Sequence, residues 1–500
     1  MAHHRIVIVG AGFGGLGMAI RLRQAGVEDF VVLERDTEIG GTWWANTYPG
    51  CQCDIPSHLY SFSFAPNPNW TRTYPEQPEL RSYLKGCVER YGVRDHIRVG
   101  CESLEATWDE ATTRWRLKTT QGEITAEVLI SAGGGLSEPQ IPDLPGLEEF
   151  AGTSFHTARW NHEHDLSGRR VGIIGTGASA IQVAPRIQPL AQRLTIFQRT
   201  PPWVTPHRDR PISARERRMF RRFPITQRLA RAGAYWSREL LVPGLVRWPA
   251  LMGALERGAL THMATQVSDP ILRAKLTPDY TLGCKRILPS NRWYPTLSEA
   301  NVELVAAGVR EIRPEGAIAE DGSRHELDTI VFATGFHVTD SPSTDRVRGV
   351  GGKTLLDVWV GSAQAYLGTA VSGFPNLFLL GGPNTGLGHN SVLFMIEANI
   401  HYVMEALRAM RERGAARMEV RHEVQESYNA KLQRHLARSV WNTGGCKSWY
   451  IDANGRNSTV WPDFTWLFWL RTRRFKPSDY HLGSAVSAPT SVSAPSLATA

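Results

Sequence analysis

Arg5-Ile6-Val7-Ile8-Val9-Gly10-Ala11-Gly12-Phe13-Gly14-Gly15 reads as a buried strand that runs straight into a glycine-rich turn. Residues 5–9 are almost wholly apolar, as a parallel strand covered on both faces must be. An amphipathic helix follows to about residue 24, and a second apolar run, Phe30–Leu33, ends in Glu34. A strand, glycine turn, helix and strand closing on an acid about twenty residues later make the full dinucleotide-binding context rather than a bare pattern match. In that context Gly10 allows the tight turn, Gly12 lets the backbone approach a pyrophosphate, and Gly15 lets helix and strand pack closely. The helix N-terminus offers free N–H groups and the positive end of its dipole. Glu34 stands where a carboxylate accepts hydrogen bonds from both ribose hydroxyls.

The same grammar returns at Arg170-Val-Gly-Ile-Ile-Gly175-Thr176-Gly177-Ala178-Ser179-Ala180. A helix is expected over 181–192, then a strand, Arg193–Phe197, ending in Gln198-Arg199-Thr200. Where Glu34 has its counterpart there is no acid, and Arg199 and Thr200 stand there instead. A carboxylate would repel a 2′-phosphate, whereas guanidinium and hydroxyl groups bind it, so the second unit should take NADPH rather than NADH. Two such units in one chain mean two nucleotides or one duplicated site. Residues 126–132 and 328–336 also read as strands running into small-residue turns.

With 500 residues, the chain exceeds what one hydrophobic core usually serves, so two or three domains are expected. Its 42% hydrophobic and 21% charged residues are those of an ordinary soluble protein. The net charge of +8 is small for the length and no aromatic–basic module accompanies it, so no nucleic-acid partner is expected. Six cysteines (51, 53, 87, 101, 284 and 446) in so long a chain suggest no disulfide framework. Cys51 and Cys53 lack a matching pair at metal-ligand spacing, so no metal site is expected, and buried thiols in a reducing cytoplasm are the default reading. The first strand begins at about Arg5, which leaves no room for a signal peptide. Residues 240–260 fail as a membrane span because Arg247, Glu256 and two prolines interrupt them. Residues 209–275 change character, with a basic run at 215–222 and helical patterning free of β-branched runs; they read as a helical insertion with a solvated basic face.

Three further stretches carry a family resemblance. Phe150-Ala-Gly152-Thr-Ser-Phe-His156-Thr157-Ala-Arg-Trp160-Asn161 resembles the F-x-G-x-x-x-H-x-x-x-W fingerprint of the Baeyer–Villiger monooxygenases, a branch of the class B flavin monooxygenases. Trp160 favours that branch, since relatives that oxygenate nitrogen or sulfur usually carry Tyr or Phe there; Asn161 replaces the family's Pro or Asp. Gly40-Gly41-Thr42-Trp43-Trp44-Ala45-Asn46-Thr47-Tyr48-Pro49-Gly50-Cys51-Gln52-Cys53-Asp54 is similar to the family segment that passes the flavin ring. Tyr280-Thr-Leu-Gly283-Cys284-Lys285-Arg286 is similar to its lysine–arginine pair. Gly381-Gly-Pro-Asn384-Thr385 and Ser448-Trp449-Tyr450 extend the likeness, which covers residues 5 to about 465.

The resemblance implies an α/β fold with two Rossmann-like dinucleotide-binding domains, for FAD and NADP, and a helical insertion. The FAD-binding domain would comprise residues 1–150 and 371–482, with the NADP-binding domain at 151–370 between them; residues 483–500, rich in Ser, Ala, Pro and Thr, are expected to be a disordered tail on composition alone. The resemblance implies FAD contacts from Gly10, Gly12, Gly15, Glu34, Thr42, Trp43, Trp44, Ala45, Asp54, Tyr60 and Val392. NADP contacts would come from Gln52, Cys53, Gly175 to Ala180, Arg199, Thr200 and Lys285. The fingerprint at 150–161 would couple domain movement to catalysis. Arg286 and Asp54 would be catalytic, the arginine stabilising a C4a-peroxyflavin anion and then the oxyanion formed as it attacks a carbonyl. Arginine suits because it stays charged at working pH, and Asp54 supplies the counter-charge a buried arginine needs. The expected reaction inserts one oxygen atom of O2 beside a ketone carbonyl, giving an ester or lactone. N- or S-oxygenation and an NADPH-consuming flavoprotein that releases peroxide are the alternatives. Leu387, His389, Asn390, Ser391 and Phe394 are candidate pocket residues, with His389 equally readable as a loop residue in water. The chain is expected to be a cytoplasmic monomer or dimer.

Overall fold

Two sheets, each with a parallel core and a glycine turn after one of its central strands, organise the computed structural model, which describes residues 2–484. The first sheet has eight strands and is built around Ala2–Val9, flanked by Phe30–Leu33 on one side and Gly122–Ser131 on the other, all parallel. The antiparallel strands Ser103–Asp109 and Arg114–Thr119 extend it. Leu377–Leu379 pairs with the far half of Gly122–Ser131, so the chain returns to this sheet late in the sequence. Val347–Arg348 already pairs with Ser103–Asp109, ahead of the expected return at residue 371. The opening strand also starts earlier than expected, at Ala2, because residues 2–4 find partners at 124–126.

The second sheet is wholly parallel, in the order Val302–Val305, Arg193–Phe197, Arg170–Ile174, Thr329–Phe332, Thr153–His156. Its central strands are buried on both faces, which is why their sequences are continuous apolar runs rather than alternating ones. The helix after its glycine turn runs Ala178–Ile187, earlier than 181–192. Five helices, Ala214–Arg222, Pro224–Glu239, Val242–Val246, Gly253–Ala264 and Pro270–Leu276, fill the expected insertion. Helix Val392–Arg413 then crosses helix Phe13–Gln24, where Gly17 leaves no room for a side chain beside Ile400 and Phe62.

Two expectations need correction. Cys284 and Cys446 form a disulfide across 162 residues of sequence, while Cys51, Cys53, Cys87 and Cys101 are buried free thiols. The fold, not sequence proximity, brings that pair together: Thr281 N–H donates to the Gly444 carbonyl, and Gly444 has no side chain to hold Cys284 away. Gly483, expected in the tail, instead closes strand Tyr480–Gly483 against Arg417–Val420; the rest of the expected tail, from 485 on, lies outside the described residues.

Candidate active site

The first glycine turn is dictated by contact. Gly10 has φ +104°, and a Cβ there would come within 2.6 Å of the Ala132 carbonyl oxygen. A Cβ on Gly15 would collide with the Gly10 carbonyl oxygen. Helix Phe13–Gln24 begins at Gly12 with no capping side chain and no acid in its first turn, so its leading N–H groups stay available to an anion. Gly41 crosses the turn with its own Cα beside Gly12. Glu34 is buried, and its carboxylate accepts from Ala11 N (2.7 Å) and Asp36 N (3.0 Å). Burial pushes its pKa up against these bonds. Each carboxylate oxygen keeps a further lone pair for a ribose hydroxyl.

Around this turn the expected flavin contacts converge. Thr42–Ala45 forms a short helix capped by Gly41. The Trp43 indole N–H donates to the Tyr60 hydroxyl at 3.2 Å, and Tyr60 packs edge-on to Phe13, the first residue of the helix after the turn. Trp44 stacks under the Arg81 guanidinium, and Val392 opens the helix that crosses Phe13–Gln24. These residues fit a flavin dinucleotide: a turn without side chains, an uncapped helix end and a buried acid lie against an aromatic wall.

The second turn repeats the geometry at Gly175, with φ +110° and the same 2.6 Å approach to the Ala333 carbonyl. Gly177 begins helix Ala178–Ile187, again with neither cap nor acid. The strand ends correct the sequence alignment of the two units. Gly10 N donates to Leu33 O and Gly175 N to Phe197 O, so Glu34 corresponds to Gln198, not to Arg199 and Thr200. Gln198 is buried and turns its amide to the Lys275 carbonyl. Arg199, one residue on, is exposed, and the Thr200 carbonyl accepts from the Thr176 hydroxyl at 3.1 Å. Lys285 has its pKa lowered by burial and then by the nearby charge of Arg199. Among the described residues neither cation has a carboxylate within ion-pair distance. A basic pair that lowers its own lysine's pKa fits a dianionic phosphate.

Arg286, beside Lys285 in the chain, turns to Asp54 of the segment that follows the first unit's Gly-Gly. Its Nε and Nη2 each donate to Asp54 at 2.7 Å, and Nη1 donates to the Leu387 carbonyl at 2.8 Å. Both side chains keep about a quarter of their surface accessible, 25% and 23%. Burial alone would push Asp54 up, but the charge and hydrogen bonds of Arg286 leave it below the usual carboxylate range. Burial lowers Arg286 and Asp54 more than reverses this, so the guanidinium stays charged. The buried Tyr450 hydroxyl, which has no hydrogen-bond partner, feels both charges and is pushed up to about 12, chiefly by burial. Cys284 ties this segment to 446–450.

The two turns are joined through residues that carry no motif. Gln182, on the second unit's helix, accepts from Tyr48 OH (2.9 Å) and Gln52 N (3.2 Å) and donates to Gln52 O (2.9 Å). Gly50 has φ +84° and packs on the Gln182 carbonyl, which explains the Pro-Gly in that segment. Gln52 also donates to Asp209, which Arg72 holds through two bonds. Cys53, next in the chain, is a buried thiol raised well above its usual range by burial. Within the fingerprint at 150–161, Thr153–His156 is the edge strand of the second sheet and Thr157–Arg159 a short helical turn. Gly152 lies against the Asp328 carbonyl, buried His156 accepts from Ala158 N and is lowered to about 4 by burial, and Trp160 packs edge-on to Phe155. Asn161 caps a turn by accepting from Glu163 N. His389 is not a loop residue in water: with Asn390 it is buried against Glu239.

Comparison with known proteins gives this geometry its family. Residues 7–223 match the pyridine nucleotide-disulphide oxidoreductase family model. A Baeyer–Villiger monooxygenase of Streptomyces coelicolor is 49% identical, over 96% of this chain and 93% of that protein. One of Pseudomonas aeruginosa is 50% identical, over 96% and 92%. Among solved structures, OTEMO in complex with FAD and NADP superposes with a TM-score of 0.87 at 27% identity, covering 96% of this chain and 99% of that one. With its motifs placed around two adjoining nucleotide turns, and relatives at half identity over nearly its whole length, the chain belongs to the Baeyer–Villiger monooxygenases.

Proposed function

We propose that this protein uses NADPH, FAD and O2 to convert a ketone into an ester or lactone, with Arg286 as the catalytic cation. It is a flavin-dependent monooxygenase with FAD and NADP as cofactors. The observation that carries the residue assignment is the two-bond Arg286–Asp54 pair, whose third guanidinium nitrogen is held by the Leu387 carbonyl. When bound, FAD and NADPH supply hydride transfer and the activation of O2. What the chain supplies is placement and charge. Gly10, Gly12, Gly15, Glu34 and the aromatic wall of Trp43 and Tyr60 hold the first nucleotide; Thr42, Trp44, Ala45 and Val392 close around it. Gly175 to Ala180, Arg199, Thr200 and Lys285 hold the second, and Gln52 and Cys53 line the passage between them. A fixed guanidinium stabilises negative charge developing on oxygen as the carbonyl is attacked, without reorganising at that moment. Asp54 fixes its direction and keeps it charged. We assign residues 1–150 and 371–482 to FAD and 151–370 to NADP, and place the protein in the cytoplasm as a monomer or dimer.

The test is product analysis over a panel of cyclic and linear ketones, amines and sulfides with NADPH and O2. Esters or lactones as the main products support the reading. N-oxides, sulfoxides or hydrogen peroxide alone would overturn it.

A further inference from the structure

Helix Pro224–Glu239 packs on the core through Ala230, Ala234 and Tyr235, yet the side chains it buries fully are polar. Its buried members are Gln227 and Glu239. Arg231 also turns inward, donating to the carbonyls of His58, Leu59 and Ser61. Outward the helix presents Ile225, Leu229 and Trp236, with Leu240 at its C-cap, exposed by 58%, 64%, 56% and 79%. These positions fall at i, i+4, i+11 and i+15, one line along a helix. Single exposed apolar side chains are ordinary; a file of four large ones along the outer line of one helix is not. The surface does not stop at this helix. Trp236 shares a cleft of about 410 Å³ with half-buried Phe394 and with exposed Trp469 and Arg228. Tyr235 ties the helix to Thr465 at 2.9 Å, the start of the helix that carries Trp469.

Charge decides what this face meets. Residues 214–260 contain ten arginines and three glutamates. Glu216 is held by Arg210 and Ser213, Glu239 is buried under Asn390 and Thr465, and Glu256 accepts from Leu282 N. None of the three is left to answer exposed Arg215, Arg218, Arg221, Arg222, Arg228, Arg247 or Arg257. Two exposed aromatics of the face carry arginines over their rings, Arg222 over Phe223 and Arg473 over Trp469.

We propose that this face docks on an anionic lipid surface, with the apolar file in the acyl boundary and the arginines among the headgroup phosphates. Apolar side chains beside Arg and Trp are the chemistry of a helix lying in the membrane plane. Among the described residues no helix is long and apolar enough to cross a membrane, so the attachment is peripheral. A second copy of the chain is disfavoured as occupant, because a two-fold interface would set the same unanswered arginines against each other. The inference is independent of the catalytic assignments.

The experiment is co-sedimentation of the full-length holoenzyme with vesicles of phosphatidylcholine alone or mixed with phosphatidylglycerol. The protein should pellet with the mixed vesicles and scarcely with phosphatidylcholine, and should be released as salt rises from about 0.1 M to about 1 M. Leu229→Ser with Trp236→Ser should weaken binding about tenfold or more, with flavin content and NADPH oxidation unchanged as proof of folding. Arg221→Ser with Arg222→Ser should weaken binding to the anionic vesicles. Failure to pellet with either vesicle, equal pelleting with both, or undiminished binding of the Leu229/Trp236 variant would overturn the proposal. So would sedimentation equilibrium showing a vesicle-indifferent dimer that this variant dissociates.

Discussion

In the unit that opens the chain, Gly10 approaches the Ala132 carbonyl and Gly15 approaches the Gly10 carbonyl, both too closely for any side chain. In the second unit Gly175 repeats the first approach on Ala333, but the place of Gly15 is taken by Ala180, whose side chain is buried there. After the second strand the units part again: Glu34 braces the turn through Ala11 N, while Gln198 turns away to Lys275 and leaves the neighbourhood to Arg199 and Lys285. One backbone solution thus serves two nucleotides. The shared part is set by sterics at the strand-to-helix turn, and the specific part by the first residues after the following strand.

The largest expected break in that comparison is steric. Gly15→Ala should cost about 3 kcal/mol or more through overpacking against the Gly10 carbonyl, and the purified protein should lose its flavin absorbance. Ala180→Gly should cost only about 1 kcal/mol, the helix-propensity difference, with flavin retained. Thermal melts and the visible spectrum of the two variants would separate the units. Next comes cofactor choice. Arg199→Ala or Lys285→Ala should raise the Kd for NADPH about ten- to a hundredfold, the loss of one charge-assisted contact of about 1.5–3 kcal/mol, and leave NADH almost unchanged; equal losses with both coenzymes would show that these residues do not read the 2′-phosphate.

Smaller effects sharpen the electrostatic side. Glu34→Gln replaces one acceptor oxygen by a donor facing Ala11 N or Asp36 N, a loss of about 1–2 kcal/mol. Flavin titration of the apoprotein should show weaker binding, with NADPH affinity unaltered. Lys285 has its pKa lowered by burial and Arg199, so it loses its charge at lower pH than a free lysine does. The kcat/KM for NADPH should therefore fall as pH rises through that lowered value, while NADH shows no matching limb. Arg199→Ala removes the repelling charge and should move the limb to higher pH; an unmoved limb would mean that another group titrates.

What the sequence made legible follows the same division. Both turns could be read because steric exclusion at Gly10, Gly15 and Gly175 leaves a local, ordered mark. Arg286 and Asp54, 232 residues apart, could be paired only through the family frame, since no spacing rule links them. The Gln198 correspondence was missed because it is defined by which carbonyls the turn glycines meet. Gln182, Asp209 and the Cys284–Cys446 bond join distant segments through tertiary packing, and polar or thiol residues met singly carry no period. Burial of His389 had no signal either, because its partner Glu239 lies on a helix of the insertion whose large apolar side chains, Ile225, Leu229 and Trp236, face outward.

The central claim is that Arg286 divides the two half-reactions, and it is tested by ester formed per NADPH consumed in Arg286→Ala. Loss of the arginine leaves Asp54 unpaired, so flavin content must first show that the fold survives. Flavin reduction by NADPH, followed by stopped flow, should persist, because Lys285 and Arg199 still hold the coenzyme. Ester yield per NADPH should drop about a hundredfold or more, the usual loss for a single oxyanion-stabilising group, with hydrogen peroxide accumulating in its place. Ester formed at the wild-type yield would contradict the account.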